Sequence, residues 1–168
     1  MTVAELNEAS EDDFCAALDG IWEHSPWIVK AAAAARPFVD VDSLGAAMWA
    51  AVGAASHEDR LALLRAHPDL AGKLALAGEL TRESAGEQAS AGLDRLTKSE
   101  FKAFNAWNER YRQRFGFPFI LCVRGNTKTT IRAAFRRRLN NPLAVEFAAA
   151  LEEVRKIADL RLRDRITA

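Results

Sequence analysis

The sequence predicts an all-α fold, a single-domain compact bundle of about eight to ten helices covering residues 1–168. Three observations predict it. Glycine (9) and proline (5) are scarce among 168 residues and alanine is abundant. Apolar positions recur at helical spacing. No stretch sustains the period-2 alternation of a half-buried strand. The length suits one domain with one sizeable core, and no internal repeat, low-complexity linker or composition break divides the chain. Hydrophobic content of 49% and charged content of 27% exclude global disorder.

The elements follow in order. Ser10 is a suitable N-cap for the first predicted helix, with Glu11, Asp12 and Asp13 in the turn where the helix dipole favours anions. Phe14, Leu18 and Ile21 form its apolar face. His24-Ser25-Pro26-Trp27 marks a corner, and Pro26 suits the first turn of a helix that runs to Ala35 and stops before Pro37. Asp42 or Ser43 starts the next, which carries Leu44, Met48 and Val52. Ser56 caps another, which runs through Leu61 and Leu64 and ends near Pro68. Residues 70–79 suit a short helix, and Thr81 or Ser84 caps the one after it.

Thr97-Lys98-Ser99-Glu100 has the spacing of a capping box for a long helix to Phe115, closed by Gly116. Its inward face holds Phe101, Phe104, Asn105, Asn108, Tyr111 and Phe115, and two asparagines on an aromatic face need partners. The most apolar run, Phe117 to Val123, suits either a short helix or an extended segment. Thr127 to Leu139 is a basic amphipathic helix. Asn141-Pro142 opens the last helix, to about Arg165, with an inward stripe of Leu143, Phe147, Leu151, Val154 and Ala158. Phe147, Val154 and Arg161 lie seven apart, so Arg161 continues that stripe and needs an anion.

Charge and cysteine usage narrow the function classes. Lys and Arg (23) balance Asp and Glu (23), which argues against bulk attraction to nucleic acid or an anionic membrane. No apolar run reaches the length of a membrane span, and the acidic start MTVAELNEASEDD lacks the apolar stretch of a secretion signal. Cys15 and Cys122 form no CxxC pattern and read as buried small apolar residues, which fits a reducing, cytoplasmic setting. His24, His57 and His67 show no metal-binding spacing, and neither a phosphate-cradling glycine loop nor a GxSxG elbow is present. Arg132, Arg136, Arg137 and Arg138 form a basic run, read as a solvated helix face.

Chemistry concentrates between Leu63 and Leu93. His67 precedes Pro68, which bars it from helical geometry and sets it on an irregular segment. An imidazole there can exchange protons near neutral pH, although on the residue alone a helix-capping role leads. Ser84, Glu87 and Gln88 share a helix face and offer a hydroxyl, a carboxylate and an amide to a polar ring. The same spacing also makes a capping box with Ser84 as N-cap.

The motifs together resemble the OHCU (2-oxo-4-hydroxy-4-carboxy-5-ureidoimidazoline) decarboxylase family of uric acid degradation. The matching pieces are EHSPWIV with AARPF, HPDLAGK, ESAGEQASAGLDRL, FNAWNERY, RFGFPFILCVRG, RRRLNN and EVRKIADLRL. They run the length of the chain in the family's order. The resemblance implies an all-α homodimer that needs no cofactor or metal and turns a ureidoimidazoline acid into (S)-allantoin and CO2. It implies His67 and Glu87 as catalytic groups. Pro68, Ser84, Gln88, Phe119, Ile120, Leu121, Cys122, Val123 and Arg161 would bind the substrate.

Overall fold

The computed structural model describes residues 1–167, and of Leu74 the backbone alone. Among the described residues there are ten α-helices and no strand. They are α1 (Val3–Glu8), α2 (Glu11–Ala17), α3 (Pro26–Ala33), α4 (Val41–Ala54), α5 (His57–Arg65), α6 (Lys73–Ala77), α7 (Arg82–Ser90), α8 (Lys98–Phe115), α9 (Lys128–Arg138) and α10 (Leu143–Arg165). The all-α prediction holds. The backbone groups into two compact units, one formed by Met1–Leu63 with the chain from Arg155 onward, the other by Leu64–Val154.

In the first unit, α1 to α4 pack in sequence order. Helix α1 was not expected from the sequence; a reciprocal capping box between Thr2 and Glu5 starts it, and Val3 and Leu6 are buried. Ser10 caps α2 as read, but α2 stops at Ala17, so buried Ile21 lies beyond the helix. Pro26 occupies the first turn of α3. Asp40, two residues earlier than read, caps α4 and buries Leu44, Met48 and Val52. A Cβ added at Gly45 would stand 3.4 Å from Asp159 Oδ1 and 3.6 Å from Leu162 Cδ2, so this face of α4 lies against the C-terminal half of α10.

The second unit is built on aromatic rings. The Thr97–Glu100 capping box starts α8, and Gly116, at φ 78°, ends it in the left-handed conformation that glycine adopts at no steric cost. Tyr111 sits 5.2 Å from the ring of Phe119, whose ring stacks on Phe135 at 3.7 Å. Both expected asparagine partners exist: Asn108 Nδ2 donates to the Leu70 carbonyl at 2.9 Å and Asn105 Nδ2 to that of Phe101 at 2.9 Å. Residues 117–123 form neither helix nor strand, which resolves the ambiguity of the apolar run.

Three expectations are corrected. Leu143 is 58% exposed, because the buried stripe of α10 begins further along the helix. Cys15 and Cys122 are free thiols but only half-buried. Arg138 is not part of a solvated face: it is 5% exposed and ion-paired with Glu146, whereas Arg132, Arg136 and Arg137 are exposed.

Candidate active site

Helix α5 ends at Arg65, and the proline at 68 prevents its continuation. The His67 N–H closes a last turn on the Leu64 carbonyl at 3.2 Å. The side chain that follows is buried, at 6% exposure. His67 therefore lies in an irregular loop running to Gly72, and that loop is held by side chains.

Gln88 holds it twice. Its Oε1 accepts the Ala71 N–H at 2.9 Å and its Nε2 donates to the Asp69 carbonyl at 3.2 Å. Asn108 takes the Leu70 carbonyl between them. Arg112 Nε pairs with Asp69 Oδ1 at 2.9 Å. The tight path puts Ala71 at φ 50°, a conformation L-residues rarely adopt. It also leaves no room at Gly72, where a Cβ would meet that of Asp69 at 2.7 Å. The glycine of HPDLAGK is thus required by steric contact.

Helix α7 carries the second cluster. Its N-cap is Thr81, whose hydroxyl accepts the Ser84 N–H at 3.3 Å. Ser84 therefore stands one turn inside the helix and does not cap it, so its spacing to Glu87 is not a capping box here. Ser84 and Gln88 are 5% and 6% exposed, and Glu87 between them is half-buried. A hydroxyl and an amide facing a protein interior on one helix face, beside a carboxylate, form a polar lining.

The third piece is residues 119–123. Phe119, Ile120 and Val123 are buried; Leu121 and Cys122 are half-buried. The Ile120 carbonyl accepts from Arg138 Nη1 at 2.5 Å, and the Cys122 N–H donates to Glu153 Oε2 at 2.8 Å. Asn126 Nδ2 donates to the Cys122 carbonyl at 2.9 Å. Burial pushes the Cys122 thiol above its usual range, aided by the charges of Glu153 and Glu87 and opposed by a hydrogen bond from the Arg124 backbone. Glu87 of α7 is thus within electrostatic reach of this segment.

His67, Pro68, Ser84, Glu87, Gln88 and Phe119 to Val123 all belong to the Leu64–Val154 unit. Arg161 belongs to the other. There it is 5% exposed, and its Nη1 donates to Glu23 Oε2 at 2.8 Å and to the Gly20 carbonyl at 3.0 Å. The anion demanded by a buried arginine is Glu23, in the EHSPW motif.

Sequence reasoning singled out neither Glu23 nor the buried Glu146, nor Glu153. A signal was available for the last two. They are seven residues apart on α10, the same interval that joins Phe147 to Val154, so both fall on a single helix face.

Comparison with known proteins decides the family. The sequence model described as OHCU decarboxylase matches residues 7–163. The chain belongs to the OHCU decarboxylase family. It is 45% identical over 167 residues to the 2-oxo-4-hydroxy-4-carboxy-5-ureidoimidazoline decarboxylase of Haloferax volcanii, covering 99% of this chain and 97% of that one. A crystal structure of (S)-allantoin synthase superposes with a TM-score of 0.78 at 35% identity, over 99% of this chain. This chain spans about half of that longer one, 54%. An OHCU decarboxylase crystallised in the presence of (S)-allantoin shares the fold, with a TM-score of 0.70 at 22% identity, over 93% of this chain and 97% of that one. Three of the matching pieces, HPDLAGK, ESAGEQASAGLDRL and RFGFPFILCVRG, contain the held loop, the polar face of α7 and the pinned segment 119–123.

Proposed function

We propose that this OHCU decarboxylase removes CO2 from 2-oxo-4-hydroxy-4-carboxy-5-ureidoimidazoline and yields (S)-allantoin, completing the conversion of urate to allantoin. The observation that carries the reading is a buried histidine on a loop gripped by Gln88, next in sequence to a proline that keeps it out of a helix. A proton-transfer group needs a fixed direction, and this loop has few free torsions left.

The chemistry asks little of a protein beyond positioning and proton transfer. The carbon that loses CO2 carries a hydroxyl and adjoins a ring C=N carbon. As the carbon–carboxylate bond breaks, its electron pair becomes the new C=C bond and the imine π pair moves to nitrogen, which takes a proton. The resulting enol then loses its hydroxyl proton and is protonated on carbon, on one face, to give the S product. The ring nitrogen is the electron sink, so the reading requires no cofactor.

His67, with Glu87 nearby, manages the proton on the hydroxyl or nitrogen. Ser84 and the backbone of residues 119–123 hold the ring and ureido group, with Pro68 at the wall. Gln88 spends one Nε2 proton on the Asp69 carbonyl and has a second to offer the substrate. Arg161 is read as an orienting group for ureido or ring oxygens and not as the partner of the departing carboxylate, because a strong ion pair there stabilises the ground state. The apolar walls at Phe119, Ile120 and Leu121 favour a transition state whose charge is more dispersed than that of the carboxylate.

The reading extends to one functional domain over residues 1–168, supported by a family match that runs nearly end to end. We further read it as a cytoplasmic homodimer. Two free thiols fit a reducing compartment, and exposed Leu143 and Val145 on α10 offer apolar surface to a second copy. Among the described residues no helix is long and apolar enough to cross a membrane.

The test is to form the unstable substrate in solution from urate with uricase and hydroxyisourate hydrolase, add the protein and follow circular dichroism. Rapid growth of an (S)-allantoin signal is expected. Decay at the rate of the enzyme-free blank, with folded protein, would reject the reading.

A further inference from the structure

We propose that Arg138, backed by Glu146 and Tyr111, is a positioning residue that sets the substrate-holding segment 119–123. The proposal rests on the decarboxylase reading above, which assigns that segment to the substrate.

The network begins at a carboxylate with no solvent contact. Glu146 is 0% exposed. Its Oε1 accepts from the Tyr111 hydroxyl at 2.5 Å and from Arg138 Nε at 2.6 Å, and its Oε2 accepts from Asn141 Nδ2 at 2.9 Å. Burial, and then the hydrogen bond to Glu146, raise the Tyr111 pKa far beyond its usual range. The phenol is therefore a fixed donor at every working pH. These bonds leave the Arg138 guanidinium little freedom. It projects Nη1 onto the Ile120 carbonyl at 2.5 Å and places its Cζ over the Phe119 ring, 4.5 Å from the centroid.

Stability alone is a poor reason for this arrangement. A buried ion pair roughly breaks even against apolar residues of the same size, because desolvation offsets the attraction. Arg138 Nη2 is also buried without a hydrogen-bond partner among the described residues, a further cost. What the network does supply is direction. Segment 117–123 has no helical or strand ladder to fix it. Arg138 pins residue 120 through its carbonyl, and Glu153 pins residue 122 through its N–H. Rotation of the peptide units between the two pins is thereby restricted, and the polar backbone groups offered to the substrate are set in advance.

The test compares the wild type, Arg138→Lys, Tyr111→Phe and a control, Val52→Ala, which is a core truncation in the other unit. A lysine nitrogen cannot bond Glu146 and the Ile120 carbonyl in the fork geometry of arginine. In the coupled decarboxylation assay, Arg138→Lys is expected to raise KM about tenfold with kcat within about threefold, the pattern of lost substrate binding. Tyr111→Phe should move KM in the same direction by a smaller factor, and Val52→Ala should lower Tm with KM unchanged. Absence of turnover by the wild type would overturn the decarboxylase reading itself. An active wild type with unchanged KM in Arg138→Lys would overturn the positioning role alone. If Arg138→Lys does not fold, Tyr111→Phe decides by the same criterion, and a wild-type KM there overturns the proposal.

Discussion

The side-chain amide of Gln88 closes on the backbone of Ala71, its Oε1 accepting the Ala71 N–H at 2.9 Å while Nε2 holds the Asp69 carbonyl. One amide thus satisfies two backbone groups of a loop that has a left-handed alanine and a buried histidine. Removing it leaves a buried donor and an acceptor unpaired. Gln88→Ala should lower unfolding free energy by roughly 2 kcal/mol in a urea titration. With His67 as the proposed proton-transfer group, it should also reduce kcat by more than about tenfold, because a small misdirection of such a group is costly. Lowered stability with an unchanged kcat would make Gln88 a structural residue only.

The Glu23–Arg161 pair gives a second prediction. Both side chains are nearly sealed from solvent, at 1% and 4% exposure. Arg161→Met alone takes the guanidinium away from a buried carboxylate and should destabilise by about 3–5 kcal/mol. The double variant Glu23→Leu with Arg161→Met should recover most of that loss. If Arg161 also orients the substrate, the double variant will be stable in thermal melts yet poor in turnover. Recovery of both stability and turnover would remove Arg161 from the reaction.

Cys122 reports directly on segment 119–123. Burial holds its thiol in the protonated form, so alkylation by iodoacetamide at neutral pH should be slower than that of a free cysteine. Peptide mass spectrometry distinguishes it from Cys15. Saturating (S)-allantoin should slow Cys122 alkylation several-fold further and leave Cys15 unaffected. Equal rates with and without allantoin would place the product away from this segment.

Much of the fold was legible because local rules and tertiary packing agree. The Thr97–Glu100 capping box, Pro26 in a first helical turn and Gly116 as a helix stop are local signals, and each stands where it was read. Helix α1 was missed because its six residues have too short a period to recognise, and its cap is the second residue of the chain. The course of Phe117 to Val123 was ambiguous for another reason. An all-apolar run has no periodicity, and the side chains that pin it, Arg138 and Glu153, are distant in sequence.

Site residues follow the same division. His67 and the Ser84–Gln88 face were visible as polar groups in an apolar setting. The sequence could show that Arg161 needed an anion but not that the anion was Glu23, because 138 residues separate them. The competing explanation of Ser84 and Glu87 as a capping box fails for a specific reason: Thr81 already occupies the N-cap.

The most direct measurement compares the wild type with His67→Ala in the coupled assay with circular dichroism, alongside a thermal melt of each. Catalysis through His67 predicts rapid, optically pure (S)-allantoin from the wild type. The variant should melt at nearly the same temperature and produce allantoin only at the blank's rate. A variant that keeps wild-type turnover, or that loses turnover only because it unfolds, would contradict the assignment of proton transfer to His67.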